Sequence, residues 1–324
     1  MASIWRSHLG HAREATYGTT GTGSVFYMPV TSFDEWEDDR ERILDSGIRG
    51  LASKDYFVYQ GVNKGRVGYT WMMYPGLTPR FFKDIFGLET VTGTSAGSTA
   101  GVHTFGSTDL PLSATLYDFY GSSAAERRFH GAQMESMELK FDASAGAMMM
   151  KTVYRSFAAS TAIPETSVSY SSDIPVRGWE GALTIAGATN NRLINFSLNM
   201  QREVNLVFSA SNSQNPVSRE VGPLEMTGTA VFYGGTSSGG STDTEYMLFR
   251  NNTSTSFSLV LAEPGASSQN TLSIVMSNMN FYPVSVDRGG SFVRYNAPFR
   301  AFHNATDSGP GVITLTTPST VATT

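Results

Sequence analysis

Cysteine is absent from the 324-residue chain. That absence excludes disulfide frameworks, thiolate metal sites, cysteine nucleophiles and thiol redox switching. Charge is scarce as well: 16% of residues are charged, and 23 Lys and Arg against 28 Asp and Glu leave a net charge of −5. This is far from the basic footprint with which duplex-reading proteins meet phosphates, so sequence-specific DNA binding is not expected. No apolar run approaches the roughly 18 residues of a membrane span, and the first thirty residues hold none of signal-peptide length. Neither membrane insertion nor export is expected. What is present is core material: 40% hydrophobic residues, including 4 Trp, 14 Tyr and 20 Phe, too much for a disordered chain. With 32 Gly and 13 Pro the composition suits a turn-rich β protein. At roughly 150 residues per domain the length predicts two domains.

Two-residue alternation is the dominant local pattern. Ile194, Phe196, Leu198 and Met200 are apolar and Asn195, Ser197 and Asn199 polar, as in a strand with one buried face. The same alternation runs through Met137, Leu139 and Phe141, through Phe257, Leu259 and Leu261, and through Leu272, Ile274 and Met276. Residues 67–74 and 226–232 are rich in β-branched and aromatic side chains, and turns are predicted at 63–65, 234–240 and 287–290. Helical signals are few. Thr78 and Pro79 predict a helix start with Thr78 as N-cap, Phe81, Phe82, Ile85 and Phe86 share one face, and Gly87 supplies the stop. A second helix is expected from Asp243 to Asn251. The charged stretch 34–45 has the charge polarity of a short helix but is expected as an ordered surface arm.

The two halves of the chain match in order, which points to internal repetition. Gly65-x-Val67-x-Tyr69-Thr70 answers to Gly222-x-Leu224-x-Met226-Thr227, each leading into a predicted helix. Ser113-x-Thr115-Leu116 answers to Ser256-x-Ser258-Leu259, and Met134-x-x-Met137, where the alternation skips as at a β-bulge, to Met276-x-x-Met279. Gly146 then pairs with Gly290, and Tyr154-Arg155-x-Phe157 with Phe299-Arg300-x-Phe302. The expected organisation is an N-terminal arm (1–40), a first β unit (41–160), a linker (161–175), a second β unit (176–316) and a tail (317–324). A long loop at 88–110 separates the first helix from the next strand.

Catalytic signatures are thin. Gly93-Thr94-Ser95-Ala96-Gly97 satisfies the G-x-S-x-G spacing of a nucleophile elbow, but it sits in a Gly/Ser/Thr-rich stretch without the strand and helix that would present Ser95. It is expected to be a loop. His8, His11, His103, His130 and His303 form no compact ligand motif, and residues 18–23 complete no nucleotide cradle. Carboxylates are dense only between Asp34 and Asp45, where a solvated face is expected instead of a glycosidase pair. Met148, Met149 and Met150 are expected to fill a core or an interface. No catalytic, cofactor-binding or metal-binding residue is assigned, no cofactor is expected, and the chain is not expected to be an enzyme.

The segments Ala12-Arg13-Glu14-Ala15-Thr16-Tyr17-Gly18-Thr19, Ile48-Arg49-Gly50 and Trp179-Glu180-Gly181-x-Leu183-Thr184-Ile185 resemble the major tail tube proteins of long-tailed (siphovirus-type) bacteriophages. The resemblance covers roughly residues 12–316. It implies a mainly β fold of two duplicated tail-tube β-sandwich or barrel units, each with one short α-helix, joined into a continuous barrel on oligomerisation. It implies a virion protein made in the host cytoplasm that stacks as rings into the conduit for genome ejection. The partners it implies are further copies of the chain, tape measure protein and DNA in the lumen, and tail-tip and terminator proteins. Rings of this family hold six domains, so a two-domain chain predicts a trimeric, pseudo-sixfold ring. The arm and the 88–110 loop are the expected ring-to-ring contacts. A mildly acidic lumen would let phosphates pass, and Glu135, Glu138 and Asp142 are candidate lining residues. Two other readings stay open: a baseplate, decoration or host-binding β protein, and a carbohydrate-binding β-sandwich that would use Trp5, Trp36, Trp71 and Trp179.

Overall fold

The computed structural model describes residues 7–21, 25–47, 49, 55–93, 101–119, 126–144, 146–162, 173–234, 244–262 and 270–317. The fold is mainly β with two short helices and open sheets. The first half contains β1 (His8–Arg13), β2 (Phe26–Met28), β3 (Val30–Asp45), β4 (Phe57–Met72), α1 (Pro79–Phe86), β5 (Leu88–Thr92), β6 (Gly101–Gly106), β7 (Ala114–Phe119), β8 (Glu126–Asp142), β9 (Met149–Ser156) and β10 (Ser160–Ala162). The second half contains β11 (Gly181–Ile185), β12 (Ala188–Asn190), β13 (Leu193–Gln201), β14 (Val204–Val207), β15 (Ser218–Val221), β16 (Glu225–Tyr233), α2 (Thr244–Arg250), β17 (Thr255–Ala262), β18 (Thr271–Phe281), β19 (Ser285–Asp287), β20 (Arg294–Ala301) and β21 (Val312–Thr317).

All strand pairs are antiparallel, and β8 organises them. Its first part pairs with β7 and β10, giving the order β2-β1-β7-β8-β10. Its last part pairs with β9 on one side and β13 on the other, giving β3-β4-β9-β8-β13-β16-β20-β19. In the second half β18 makes a similar transfer: it touches β20 at Met279–Phe281 and elsewhere lies between β17 and β21, in the order β12-β11-β17-β18-β21-β6-β5. Ladder irregularities lie between Met134 and Ser136 in β8 and at the Thr255/Phe257 rungs facing Met279 and Met276 in β18. An extra residue there bends a strand and lets it serve two sheets.

One hydrophobic core runs through both halves. Trp71, Tyr69, Phe81, Phe86 and Tyr154 are buried in the first, and Phe196, Phe257 and Phe299 stack with centroids 5.5 to 5.9 Å apart in the second. The alternating strands lie where they are expected, and so do both helices. Pro79 opens α1 and Gly87 closes it at φ 98°, a conformation suited to glycine, but Thr78 does not cap it: its hydroxyl donates to the Tyr74 carbonyl 2.7 Å away.

Several expectations are corrected. The charged stretch 34–45 is neither helix nor detached arm; it is part of the 16-residue strand β3, laddered to β4. Residues 8–30, expected in an arm, supply β1 and β2 inside a sheet. The turn expected at 63–65 does not form, because β4 runs straight through; Gly65 sits there because a Cβ would come within 2.5 Å of the Phe157 carbonyl. The 88–110 loop is largely the hairpin β5–β6, whose second strand pairs with β21. Ser160–Ala162, partly assigned to the linker, is strand β10, and residues 163–172 of that linker lie outside the described residues.

Asp84 ties the first half together. Its carboxylate, on α1 and 1% exposed, accepts from Arg13 on β1 at 2.9 Å and from the Tyr154 hydroxyl on β9 at 3.0 Å, and it pairs with the His11 ring 2.7 Å away. Removing one partner of such a buried cluster strands the others without counter-charge, so Asp84→Ala is expected to cost about 3–5 kcal/mol. A urea titration of the purified chain checks it; an unchanged midpoint would show that Asp84 holds nothing.

Candidate functional site

The histidines are dispersed among separate structural networks. His103, on β6 between β5 and β21, places Nδ1 2.8 Å from Glu89 and Nε2 3.3 Å from the Thr317 hydroxyl on β21. Lys83 reaches the other Glu89 oxygen at 3.3 Å, fastening the β5–β6 hairpin to α1. His8 stacks on Phe119 at 4.5 Å. His303 is exposed on the rim of grooves lined by Ser254, Ser277, Asn278, Arg202 and Glu225. Among the described residues no three His, Asp or Glu side chains converge as a metal ion would require. Ser95 lies outside the described residues; the G-x-S-x-G spacing falls in the connection between β5 and β6, with Gly93 at φ 84°.

The buried carboxylates act as ties. Burial drives Glu14 upward in pKa although its oxygens accept from the Gly18 and Gly131 amides and the Ser113 and Thr115 hydroxyls. Burial pushes Asp84 the same way, but the charges and hydrogen bonds of His11 and Arg13 outweigh it and the net shift is downward. In the second half Glu245 of α2 receives Arg192 at 2.6 and 2.7 Å, with the Asn190 amide also bonded to it. Each helix therefore carries one buried acid fixed by the strands beside it.

The functional features that remain are surfaces. Along β9-β8-β13-β16-β20 and the adjoining second half of β4, one side faces the core and the other carries most of the polar residues. Met137, Leu139 and Phe141 point inward, and Glu138, Lys140 and Asp142 alternate with them onto the polar face. Asn195, Ser197 and Asn199 continue that face in β13, and Arg66 and Arg155 occupy directly opposed positions on it. That like-charge pair is bridged: Glu135 lies 3.3 Å from Arg66 and 3.1 Å from Arg155, while Glu35 holds Arg66 from the other side at 2.9 Å. Farther along, Arg300 meets Glu225 at 3.2 Å. Glu135, Glu138 and Asp142 thus belong to a face of mixed charge, on which Glu135 is paired with two arginines, not a uniformly acidic one.

A second surface is apolar. The far end of the β3–β4 hairpin exposes Ile43, Leu44, Phe57, Val58 and Tyr59, four of them more than half exposed. Water disfavours such a cluster on a lone subunit, and grouped exposure of this kind marks a contact. Sequence reasoning missed it because charges dominate residues 34–45. The signal was the apolar composition of Ile43-Leu44 and Phe57-Val58-Tyr59 on either side of one connection. Met148 and Met150 are core residues, and Met149 alone turns to the opposite face. Trp71 is buried, Trp36 half-buried and Trp179 exposed beneath Arg177. These do not form a sugar platform, and Trp5 lies outside the described residues.

His130 supplies a pH test of the buried networks. Its ring lies 4.0 Å from Glu14 and 3.4 Å from the Thr115 hydroxyl, and burial, with Arg128 adding to it, lowers its pKa from 6.5 to about 4. The unfolded imidazole takes up its proton near 6.5 and the folded one only near 4, so in that window the unfolded chain binds more protons. Stability is expected to fall as pH drops from 6.5 towards 4, and His130→Asn should flatten that part of the curve. Glu14, raised by burial, acts in the opposite sense at the acid end. Melting temperatures of both proteins across pH 4–7 check this, and parallel curves would refute it.

A family model described as phage tail tube protein matches residues 5–321. No curated protein matches the chain. Matched over nearly its whole length, with polar and apolar surfaces in place of a reaction centre, the chain belongs to the phage tail tube protein family, whose role is structural and not enzymatic.

Proposed function

We propose that three copies of this chain close into a ring and that the rings stack into the hollow tail tube through which the genome leaves the particle. Tape measure protein and DNA would occupy the lumen, and tail-tip and terminator proteins the two ends. The observation that carries the reading is the β8–β13 junction, where a sheet begun by the first half continues into the second with Ser136–Asp142 laddered to Asn195–Gln201. One chain thereby lays down an eight-strand arc.

We also infer that the arc is two copies of one β unit. Seven pairings of the first half recur in the second in the same chain order: β1–β2, β1–β7, β7–β8, β8–β10, β8–β9, β4–β9 and β3–β4 answer to β11–β12, β11–β17, β17–β18, β18–β21, β18/β19–β20, β16–β20 and β13–β16. Irregularities recur as well. The ladder slips between Val30 and Ser32 opposite Trp71 and Thr70, and between Leu193 and Asn195 opposite Phe232 and Val231. It slips again at the Ala114/Leu116 and Thr255/Phe257 rungs. These rungs align the halves differently from the sequence matches. Met276 and Met279 take the places of Phe129 and Ala132, not of Met134 and Met137, and Thr227 takes that of Arg66. Two units per chain and six positions per ring give three chains.

In such a ring the polar face would line the lumen. Its mixed charges would present phosphates with neither a strong attraction nor a strong repulsion. The β5–β6 hairpin, pinned into the chain's own sheet by His103 and Glu89, is a poor stacking element, and the exposed β3–β4 end is a better one.

Electron microscopy of assembled protein should show open-ended tubes whose rings hold three chains; rings of six chains, each contributing a single unit, would overturn the reading. Replacing Leu44, Phe57 and Tyr59 together with Ser should leave soluble rings that no longer elongate. Tubes of normal length from that variant would remove the β3–β4 end from the stacking contact.

A further inference from the structure

We propose that β19 of one chain pairs, antiparallel, with β3 of a second copy, with Val286 opposite Trp36, and that this seam joins the chains of the ring. The inference rests on the trimeric reading above and adds the interface that reading leaves unspecified.

The argument uses the internal junction as a template. Among the described residues β19 pairs only with β20, and β3 only with β4, so the eight-strand arc ends in two open edges. Unpaired backbone donors and acceptors at a sheet edge invite another strand. The rungs then say which strands correspond. Glu138, Leu139 and Lys140 of β8 face Lys151, Met150 and Met149 of β9, and Ser285, Val286 and Asp287 of β19 face Asn296, Tyr295 and Arg294 of β20. Opposite the same strands, Met149 faces Met72 as Arg294 faces Tyr233. Leu139 therefore corresponds to Val286. On the other side Leu198 faces Gly228 as Trp36 faces Val67, so Leu198 corresponds to Trp36. Within one chain Leu139 is laddered directly to Leu198. Carrying that rung to the open edges puts Val286 against Trp36 of the next copy, with Ser285 beside Glu37 and Asp287 beside Glu35.

Burial distinguishes the made junction from the unmade one. Leu139 and Leu198 are both 0% exposed, whereas Val286 is 40% exposed and Trp36 only partly covered. Tyr282, Phe292 and Val293, on the connections flanking β19, are exposed too. A second copy would cover this apolar edge as β13 covers β8. The polar side tolerates the pairing: Asp287 and Glu35 would be neighbours, but Arg294 lies across the β19–β20 rung from the first and Arg66 sits 2.9 Å from the second.

The absence of cysteine makes the test clean. Directly opposed antiparallel residues have Cα atoms about 4.5–5.5 Å apart, within disulfide reach. V286C/W36C, oxidised as assembled protein, should run on a non-reducing gel as a covalent species of three chains and return to one chain on reduction. S285C/E37C, on the polar face, should do the same and serves if loss of Trp36 impairs folding. V286C/E37C, whose side chains leave opposite faces, should remain largely single-chain. Three-chain rings in which neither matched pair links, or in which the mismatched pair links best, would overturn the seam while leaving the ring intact. A wild-type chain that forms no rings would overturn the ring reading and the seam with it.

Discussion

The structure depends on one constraint, that backbone N–H and C=O groups in a strand must find partners. Strand β8 meets it by serving two sheets: its first part completes the β1-β7 layer, and after the irregularity near Met134 its last part enters the layer containing β9. That second layer does not stop at β8: β13 continues it, and the two halves become one sheet over one core. Everything used in the functional reading follows from this transfer: a face with polar residues on one side, buried aromatics on the other, and open edges displaced to β3 and β19.

Much of this was legible because one face of each central strand is buried, which writes the period of two directly into the residues. Phe196, Leu198 and Met200 in β13, and Leu272, Ile274 and Met276 in β18, are such cases. The family resemblance rested on other residues, the segments 12–19, 48–50 and 179–185. The segments that failed did so for separate reasons. β3 from Asp34 to Asp45 is exposed along most of its length, so its strand character comes from the ladder to β4 and leaves little mark on composition. The Asn63-Lys64-Gly65 triplet has turn chemistry, yet glycine is there for the close approach of the Phe157 carbonyl. β6, laddered to β5, is held by pairing with β21, a strand more than two hundred residues away.

The candidate surfaces were harder to read than the fold. Glu138 and Asp142 could be assigned to the polar side by alternation, but Glu135 could not, because it lies beside the irregularity where the phase is lost. Its role as the carboxylate between Arg66 and Arg155 depends on three strands meeting and has no local signature. The same holds for the register of the two halves. Short apolar motifs such as Met-x-x-Met suggest a repeat, but they align it differently from the ladder on which the proposed duplication rests, since core side chains interchange more freely than ladder geometry does. The slips opposite Trp71 and Phe232 are better markers of correspondence, because a bulge is a backbone feature that survives the replacement of its side chains.

If the two halves are copies of one unit, as proposed above, they have also diverged in a directed way. Among the described residues only the first half carries a hairpin like β5–β6, and its second strand lies on the edge of the second half's β21, with His103 against Thr317. The corresponding edge strand of the first half, β10, is only three residues long, which by itself limits edge pairing. A chain holding both units can specialise each one, which six identical single-unit chains cannot do. Fusion has an energetic consequence as well. In a three-chain ring half of the unit-to-unit junctions lie within a chain, as β8–β13 does, and form without the translational and rotational cost of association. The other half would bear that cost, and the open edges at β3 and β19 keep apolar side chains available where the internal junction has already buried its own.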